Sequence, residues 1–142
     1  MLNNVISQVV LGAVIFSGNK VLIVQRNKDE NIFPNMWELP SGKKELLEGC
    51  ITSLLREIKE ETGLRVKVIN ILSVFNYQIK KEKIIKDCTQ INFLVRAVGH
   101  KVVISKEHQD YAWISKNHIR RYNLSKETKK VIRQGFKLIY KK

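Results

Sequence analysis

The sequence predicts an α+β fold in which helices cover a β-sheet, arranged as an α/β/α sandwich. Short apolar, β-branched runs separated by turn residues dominate both halves of the chain. One helical pattern interrupts them near the middle, and a second closes the chain. Strands, a central helix, more strands and a final helix favour a sheet with helices packed on it. At 142 residues the chain can bury one core, so we expect a single domain over residues 1–142.

The N-terminal part predicts a β-hairpin followed by a loop. Residues 7–16 are mostly apolar and predict a largely buried strand. A turn at residues 17–19 connects it to a second strand at residues 20–25. Residues 27–36 form a polar predicted loop, and residues 37–40 lead from it to a glycine-containing segment.

Residues 50–62 predict an amphipathic helix. Gly63 is placed to end it in the left-handed conformation. The apolar positions that recur at helical spacing, and that we expect to face the core, are Ile51, Leu54, Leu55, Ile58 and Thr62.

The C-terminal half predicts more strands and a closing helix. Ser125 is a candidate N-cap for a helix that runs to about Tyr140. Its expected inner face comprises Thr128, Val131, Ile132, Phe136, Ile139 and Tyr140. The preceding elements are predicted as a strand at 65–78, a basic turn at 79–86, a strand at 87–98, a short strand at 102–104, a loop at 107–110, a strand at 111–114 and a short helix at 115–121.

The chain is strongly basic, with a formal net charge of +13. This charge favours polyanionic partners such as nucleotides, nucleic acid or an acidic membrane surface. We expect Cys50 and Cys88 to be reduced thiols in a cytoplasmic protein. No secretory signal or membrane-length apolar run is visible, so we expect no membrane partner.

Acidic residues concentrate in one stretch of this basic chain. They are Glu45, Glu48, Glu57, Glu60 and Glu61. At about 100° per residue, the last three share one sector of the predicted helix. Like charges at this spacing repel by roughly 0.2–0.5 kcal/mol per pair, and a divalent cation would turn the repulsion into binding. Oxygen ligands suit Mg²⁺ or Mn²⁺. The alternative is a solvated acidic face paired with Arg56 and Lys59.

The same stretch matches a pattern with many fixed positions, G-x5-E-x7-R-E-U-x-E-E-x-G-U, where U is a bulky aliphatic residue. The matching residues are Gly42, Glu48, Arg56, Glu57, Ile58, Glu60, Glu61, Gly63 and Leu64. The segment therefore resembles the Nudix hydrolases, and the phrase WELPSGK resembles their MutT-like branch. The resemblance implies a mixed sheet flanked by helices, with the motif helix against it. It also implies metal-dependent hydrolysis of a nucleoside triphosphate or another nucleoside diphosphate derivative.

The resemblance also implies roles for individual residues. Glu57 is the implied base, alone or with the downstream Glu107, and Arg56 would pair with neighbouring carboxylates and orient Glu57. The implied cofactor is Mg²⁺ or Mn²⁺. Its implied ligands are Glu57, Glu60 and Glu61, a main-chain carbonyl near Gly42, and Glu48 through water.

Candidate substrate-binding residues lie near the motif: Arg26, Trp37, Glu38 and Glu45. Trp37 can stack on a base or pack internally, and Arg26 can meet a phosphate or pair with Glu38. We expect Tyr111 and Trp113 to pack in or beside the core. His100, His108 and His118 are expected to be structural or solvent-facing, without metal-ligand spacing.

Two loop positions depart from the commoner family form. Ser41 and Leu47 stand where glycines are frequent, which leaves the loop conformation and the substrate preference open.

Several functions compete with release of a nucleoside monophosphate and pyrophosphate from a triphosphate. Dinucleoside tetraphosphate hydrolysis is the first alternative, because EHQDYAW and the helix after it resemble that branch. ADP-ribose hydrolysis ranks lower, since no proline follows Pro40. An RNA 5′ end is a less favoured substrate, and a second copy of the chain is an optional partner. The alternative outside enzymology is a basic nucleic-acid-binding module whose acidic helix is structural.

Overall fold

The computed structural model describes residues 4–140; the ends of the predicted 1–142 domain, residues 1–3 and 141–142, lie outside the described residues. The strands are β1 (Asn4–Ser17), β2 (Lys20–Arg26), β3 (Trp37–Glu38), β4 (Ser41–Lys43), β5 (Arg65–Lys81), β6 (Ile84–Val98) and β7 (His108–Ile114). The helices are α1 (Cys50–Thr62), a 3₁₀ helix (Lys116–Arg121) and α2 (Lys126–Ile139). No helix within this described part is long and apolar enough to cross a membrane.

The strands of residues 4–140 form one mixed sheet in the order β3-β2-β1-β6-β5. The central strand β1 runs parallel to β6 and antiparallel to β2 and β4. The edge strand β5 pairs with β6 as a long antiparallel ribbon, and β7 pairs with β2. The parallel β1–β6 pair makes the sheet mixed, as the family resemblance implied.

Alternate residues of β1 pack against different helices. Val14 and Phe16 contribute to the core that includes α2, and the ring of Phe16 meets Phe136 edge-on at 5.0 Å. Ala13 and Ile15 contribute to the core beneath α1. Successive residues of a strand point to opposite faces, so one strand supports both helical layers. The predicted α+β class and α/β/α sandwich are confirmed.

The predicted helices are mostly confirmed. α1 has the predicted bounds, and Gly63 ends it with φ of 73°. Ser125 caps α2 by accepting a hydrogen bond from the Thr128 backbone N–H. The predicted helix at 115–121 is a 3₁₀ helix.

Three side chains predicted to face the core are exposed instead. They are Ile51 (44% exposed), Leu55 (39%) and Tyr140 (62%). Ile51 lies in the first turn of α1, Leu55 lies at the margin of the apolar face of α1, and Tyr140 lies just past the end of α2, and at such places helical spacing alone does not decide burial.

The basic turn predicted at 79–86 is much shorter in the structure. β5 continues to Lys81 and β6 begins at Ile84, where these two residues pair. Glu82 has φ of 58°, which allows a tight reversal between the strands. The lysine-rich composition suggested a loop, but the isoleucines between the lysines favour the strand conformation, and Lys80 and Lys81 stay exposed on the ribbon.

Two further predictions near the motif were also wrong. Residues 102–104 are not a strand: their segment runs beside the end of α1, where the Val103 N–H donates to the Thr62 carbonyl at 2.9 Å. Of the loop predicted at 107–110, only Glu107 lies outside a strand, because β7 starts at His108, which pairs with Arg26. Residues 41–43, which follow the predicted lead-in at 37–40, form the short strand β4, which pairs with β1.

Candidate active site

The C-terminal half of α1 presents the predicted carboxylates. Burial raises the pKa of Glu57, while the guanidinium of Arg56 beside it acts in the opposite direction. Glu60 and Glu107 also raise the pKa of Glu57, because their negative charges oppose its ionisation. The structure therefore places Glu107, from the loop before β7, near the motif glutamates of α1.

Glu61 is the most deeply buried of these carboxylates, with 5% of its surface exposed. Burial raises its pKa to about 9, and the charges of Glu107, Glu57 and Glu38 contribute in the same direction. Two elements distant in sequence, the Glu38 strand and the Glu107 loop, thus approach the end of α1.

Arg56 connects the carboxylates of this helix. Its guanidinium lies 3.0 Å from a Glu48 oxygen, 3.1 Å from Glu57 and 3.3 Å from Glu60. The hydrogen bond from Arg56 lowers the pKa of Glu48, as does the hydroxyl of Ser53 that contacts it. The pairing expected of Arg56 is therefore present, and Glu48 holds the start of α1 through Arg56 and Ser53.

Gly42 approaches the carboxylates through its backbone. In β4 it pairs with Leu11 of the central strand. A Cβ atom built on Gly42 would overlap the Cγ and carboxyl carbon of Glu57. Only glycine therefore lets β4 pass this close to the Glu57 side chain.

Leu47, one of the two residues that stand where the commoner family form has glycine, has a strained backbone conformation in the loop before α1. Leu47 has φ of 65°, in the left-handed region that glycine adopts readily. Its side chain is fully exposed, as is most of Leu46. A non-glycine residue there costs about 1–2 kcal/mol. Glu45 is also exposed, and its backbone N–H donates to the Ser53 hydroxyl at 3.4 Å.

The candidate substrate residues are already engaged with neighbours. Arg26 lies 3.4 Å from a Glu38 oxygen and 3.6 Å from Glu30, so the ion-pair interpretation is the one that the structure supports. Trp37 is half-buried and meets Tyr122 edge-on at 5.0 Å. Its packing in the core on the α2 side favours the structural role over base stacking.

Of the two aromatics of β7, one packs as expected and one does not. Trp113 is half-buried against the core beneath α1, and its indole N–H donates to the His100 carbonyl at 3.1 Å. Tyr111 is 38% exposed, which corrects the expectation that it packs. Cys50 and Cys88 are free thiols.

His108 is the site residue that the sequence reasoning missed. Its Nε2 lies 2.8 Å from Glu38 Oε2, and its Nδ1 lies 3.9 Å from Glu61 Oε1. Donor atoms of Glu61, Glu107 and His108 lie within 4.8 Å of one another. His108 is buried within this group of donor atoms, whereas His100 and His118 are exposed, which agrees with the expectation for these two. Sequence spacing could not show this, because α1 and β7 supply the donors separately.

The fold and the motif geometry agree with a comparison against protein families. Residues 7–135 match the family model described as the NUDIX domain. The chain belongs to the Nudix family. The resemblance based on residues 42–64 is thereby confirmed, and the chain is a Nudix hydrolase.

Curated relatives of this Nudix hydrolase include nucleotide-cleaving enzymes. The 8-oxo-dGTP diphosphatase of Buchnera aphidicola is 28% identical over 134 residues, which cover 94% of this chain and 96% of that protein. The nucleoside triphosphatase NudI of Escherichia coli is 31% identical over 126 residues, which cover 79% of this chain and 84% of that protein. A 51-residue segment is 49% identical to the m7GpppN-mRNA hydrolase NUDT17 of Xenopus laevis, but it spans only 17% of that protein.

A solved structure gives the same fold. The MutT protein from Methanosarcina mazei Go1 superposes with a TM-score of 0.80, covering 99% of this chain and all of the other, at 23% sequence identity.

Proposed function

We propose that this Nudix hydrolase cleaves a phosphoanhydride bond in a nucleoside triphosphate or another nucleoside diphosphate derivative, using Mg²⁺ or Mn²⁺. From a triphosphate it would release a nucleoside monophosphate and pyrophosphate. The observation that carries the proposal is the convergence of carboxylates from separate elements: an oxygen of Glu107 lies within 4.8 Å of an oxygen of Glu61, and the charge of Glu107 raises the pKa of both Glu57 and Glu61. The relatives that cleave nucleoside triphosphates and 8-oxo-dGTP support the substrate class.

The donor set fits a divalent ion. Within residues 4–140, Oε2 of the buried Glu61 carboxylate has no hydrogen-bond partner. Burying a carboxylate without a proton or cation is costly, so this oxygen is a natural ligand. The ion would be held by Glu57, Glu60, Glu61 and the carbonyl of Gly42. Glu48 would support the loop before α1 or bind the ion through water. When bound, such an ion supplies charge neutralisation at phosphoryl oxygens and activates water.

The protein's own groups would prepare the hydrolysis. Arg56 fixes the Glu57 carboxylate at 3.1 Å, which limits the orientations that Glu57 can adopt. Burial raises the pKa of Glu57, which makes its carboxylate a stronger proton acceptor. We assign the base to Glu57, with Glu107 as the residue that shares or replaces this role.

The protein's contacts with the parts of the substrate away from the cleaved bond are less strongly defined. The net charge of +13 favours a polyphosphate. Glu38 and Glu45 remain proposed substrate contacts, although Glu38 already binds Arg26 and His108. The free thiols of Cys50 and Cys88 support the proposal that the enzyme acts in the cytoplasm.

The test is a substrate panel with product identification. Ordinary and oxidised nucleoside triphosphates, dinucleoside polyphosphates, ADP-ribose and 5′-triphosphorylated or capped RNA are incubated with Mg²⁺ or Mn²⁺. We expect a monophosphate and pyrophosphate from a triphosphate, and a loss of about 10² or more in turnover for Glu57→Gln with an unchanged circular dichroism spectrum. No metal-dependent release from any compound would overturn the proposal.

A further inference from the structure

We propose that Nδ1 of His108 is a ligand of a divalent cation, together with Glu61 and Glu107, so that this site prefers a transition-metal ion such as Mn²⁺ or Co²⁺ to Mg²⁺. The inference rests on the metal dependence in the proposed function, but it concerns a nitrogen donor outside the motif.

The first step is the fixed orientation of the imidazole. The side chain of His108 is 2% exposed, and its Nε2 lies 2.8 Å from Glu38 Oε2. A carboxylate at this distance accepts a hydrogen bond from Nε2–H, which leaves the lone pair of the neutral imidazole on Nδ1. Carboxylate–histidine pairs of this kind orient histidines that bind metals through the other nitrogen.

The second step is the surroundings of Nδ1. Among the described residues, Nδ1 of His108 and Oε2 of Glu61 are buried without a hydrogen-bond partner. Nδ1 lies 3.9 Å from Glu61 Oε1, which is too long for a hydrogen bond. Leaving two buried polar atoms unpaired is costly. Two ligand atoms that each lie about 2.0–2.2 Å from one ion are separated by roughly 3–4 Å, so the observed spacing suits a shared cation.

The third step is the completion of the donor set. A Glu107 oxygen lies with the Glu61 oxygen and the His108 nitrogen in a group whose atoms are all within 4.8 Å of one another. Glu107 is exposed while the other two are buried, so the site has one side open to solvent. Two carboxylates and one imidazole form a mixed oxygen and nitrogen set. Such a set suits Mn²⁺ or Co²⁺, whereas Mg²⁺ prefers oxygen alone.

Electron spin-echo spectroscopy of the Mn²⁺-loaded, tag-free protein tests this directly, because a coordinated imidazole nitrogen modulates the Mn²⁺ echo. The chain has three histidines, so the double variant H100Q/H118Q retains only His108. We expect the nitrogen modulation in the wild type and in this double variant, and its loss in His108→Gln. This design does not depend on the folding of His108→Gln, since the double variant assigns the signal by itself.

Calorimetric titration with the metal ions alone gives a second readout. We expect His108→Gln to weaken Mn²⁺ binding about tenfold or more and to change Mg²⁺ binding much less. Echoes without nitrogen modulation in the wild type, with metal-dependent hydrolysis intact, would overturn this inference and leave the proposed function standing. Loss of the modulation in the double variant, while the wild type retains it, would also overturn the assignment to His108.

Discussion

The carboxylate of Glu57 lies in the space that a side chain on Gly42 would occupy. The two residues come from different elements, since β4 is held against β1 and α1 carries Glu57. On its other side, Glu57 is held at 3.1 Å by Arg56. The position of the proposed base is therefore set jointly by a glycine backbone and a guanidinium.

Gly42→Ala should reduce turnover strongly while leaving the fold intact. The new methyl group would clash with the Glu57 side chain. Glu57 can relieve the clash by rotating away, and this rotation would break its ion pair with Arg56. A misplacement of about 1 Å at a catalytic group can cost on the order of 10² in rate. Steady-state kinetics and urea unfolding check this. Gly49→Ala is the control, because the nearest atom to its new Cβ is 4.0 Å away. Equal kcat/KM in the two variants would contradict the account.

Arg56→Lys should lower activity although the charge is kept. One ammonium cannot reproduce the planar guanidinium that contacts Glu48, Glu57 and Glu60 at once. Loss of such an orienting partner typically costs about 10–100-fold in metal affinity or activity. Kinetics at several Mg²⁺ concentrations will separate the two effects. Arg133→Lys on the exposed face of α2 serves as the matched control. A fully active Arg56→Lys enzyme would reject the orienting role.

Glu107→Gln should reduce turnover by more than about threefold, the smallest change that assigns Glu107 a part in the reaction. The structure motivates this, because the charge of Glu107 raises the pKa of both Glu57 and Glu61. The pH profile of kcat/KM should also shift, since removing that charge makes Glu57 easier to ionise. Glu127→Gln on the exposed start of α2 is the control. Wild-type kinetics in Glu107→Gln would show that Glu107 is a solvated loop residue with no part in the reaction.

The metal-free protein should lose stability as the pH rises from about 4.5 toward 9. Burial raises the pKa of Glu61 from 4.5 to about 9, so the folded protein keeps a proton that the unfolded chain releases. The stabilising contribution of protonated Glu61 is full below about pH 4.5 and disappears as the pH rises toward 9. Urea unfolding in EDTA at pH 5, 6.5 and 8 measures this. Glu61→Gln should flatten the dependence and be the more stable protein at pH 8. A steeper decline in Glu61→Gln than in the wild type would contradict the assignment.

The parts of the fold that depend on local sequence could be predicted. The bounds of α1 follow from apolar spacing and from Gly63, and the Ser125 cap follows from one side chain and the next turn. Burial at the edges of a helix depends on neighbouring elements, and for that reason Leu55 and Tyr140 were placed wrongly.

The carboxylates of α1 could be found because one helix carries them. The contact between His108 and Glu38 could not, because it requires β3 and β7 to pair with the same strand, β2. Residues 107–110 were predicted as a loop, so the strand that directs His108 toward Glu61 was not expected.

The most direct measurement of the central claim is anomalous diffraction from crystals that contain Mn²⁺ and a non-hydrolysable nucleoside triphosphate analogue. We expect a manganese peak among the carboxylates of Glu57, Glu60 and Glu61 in contact with the bound phosphates. Phosphates bound away from these glutamates, with no manganese at the end of α1, would contradict it.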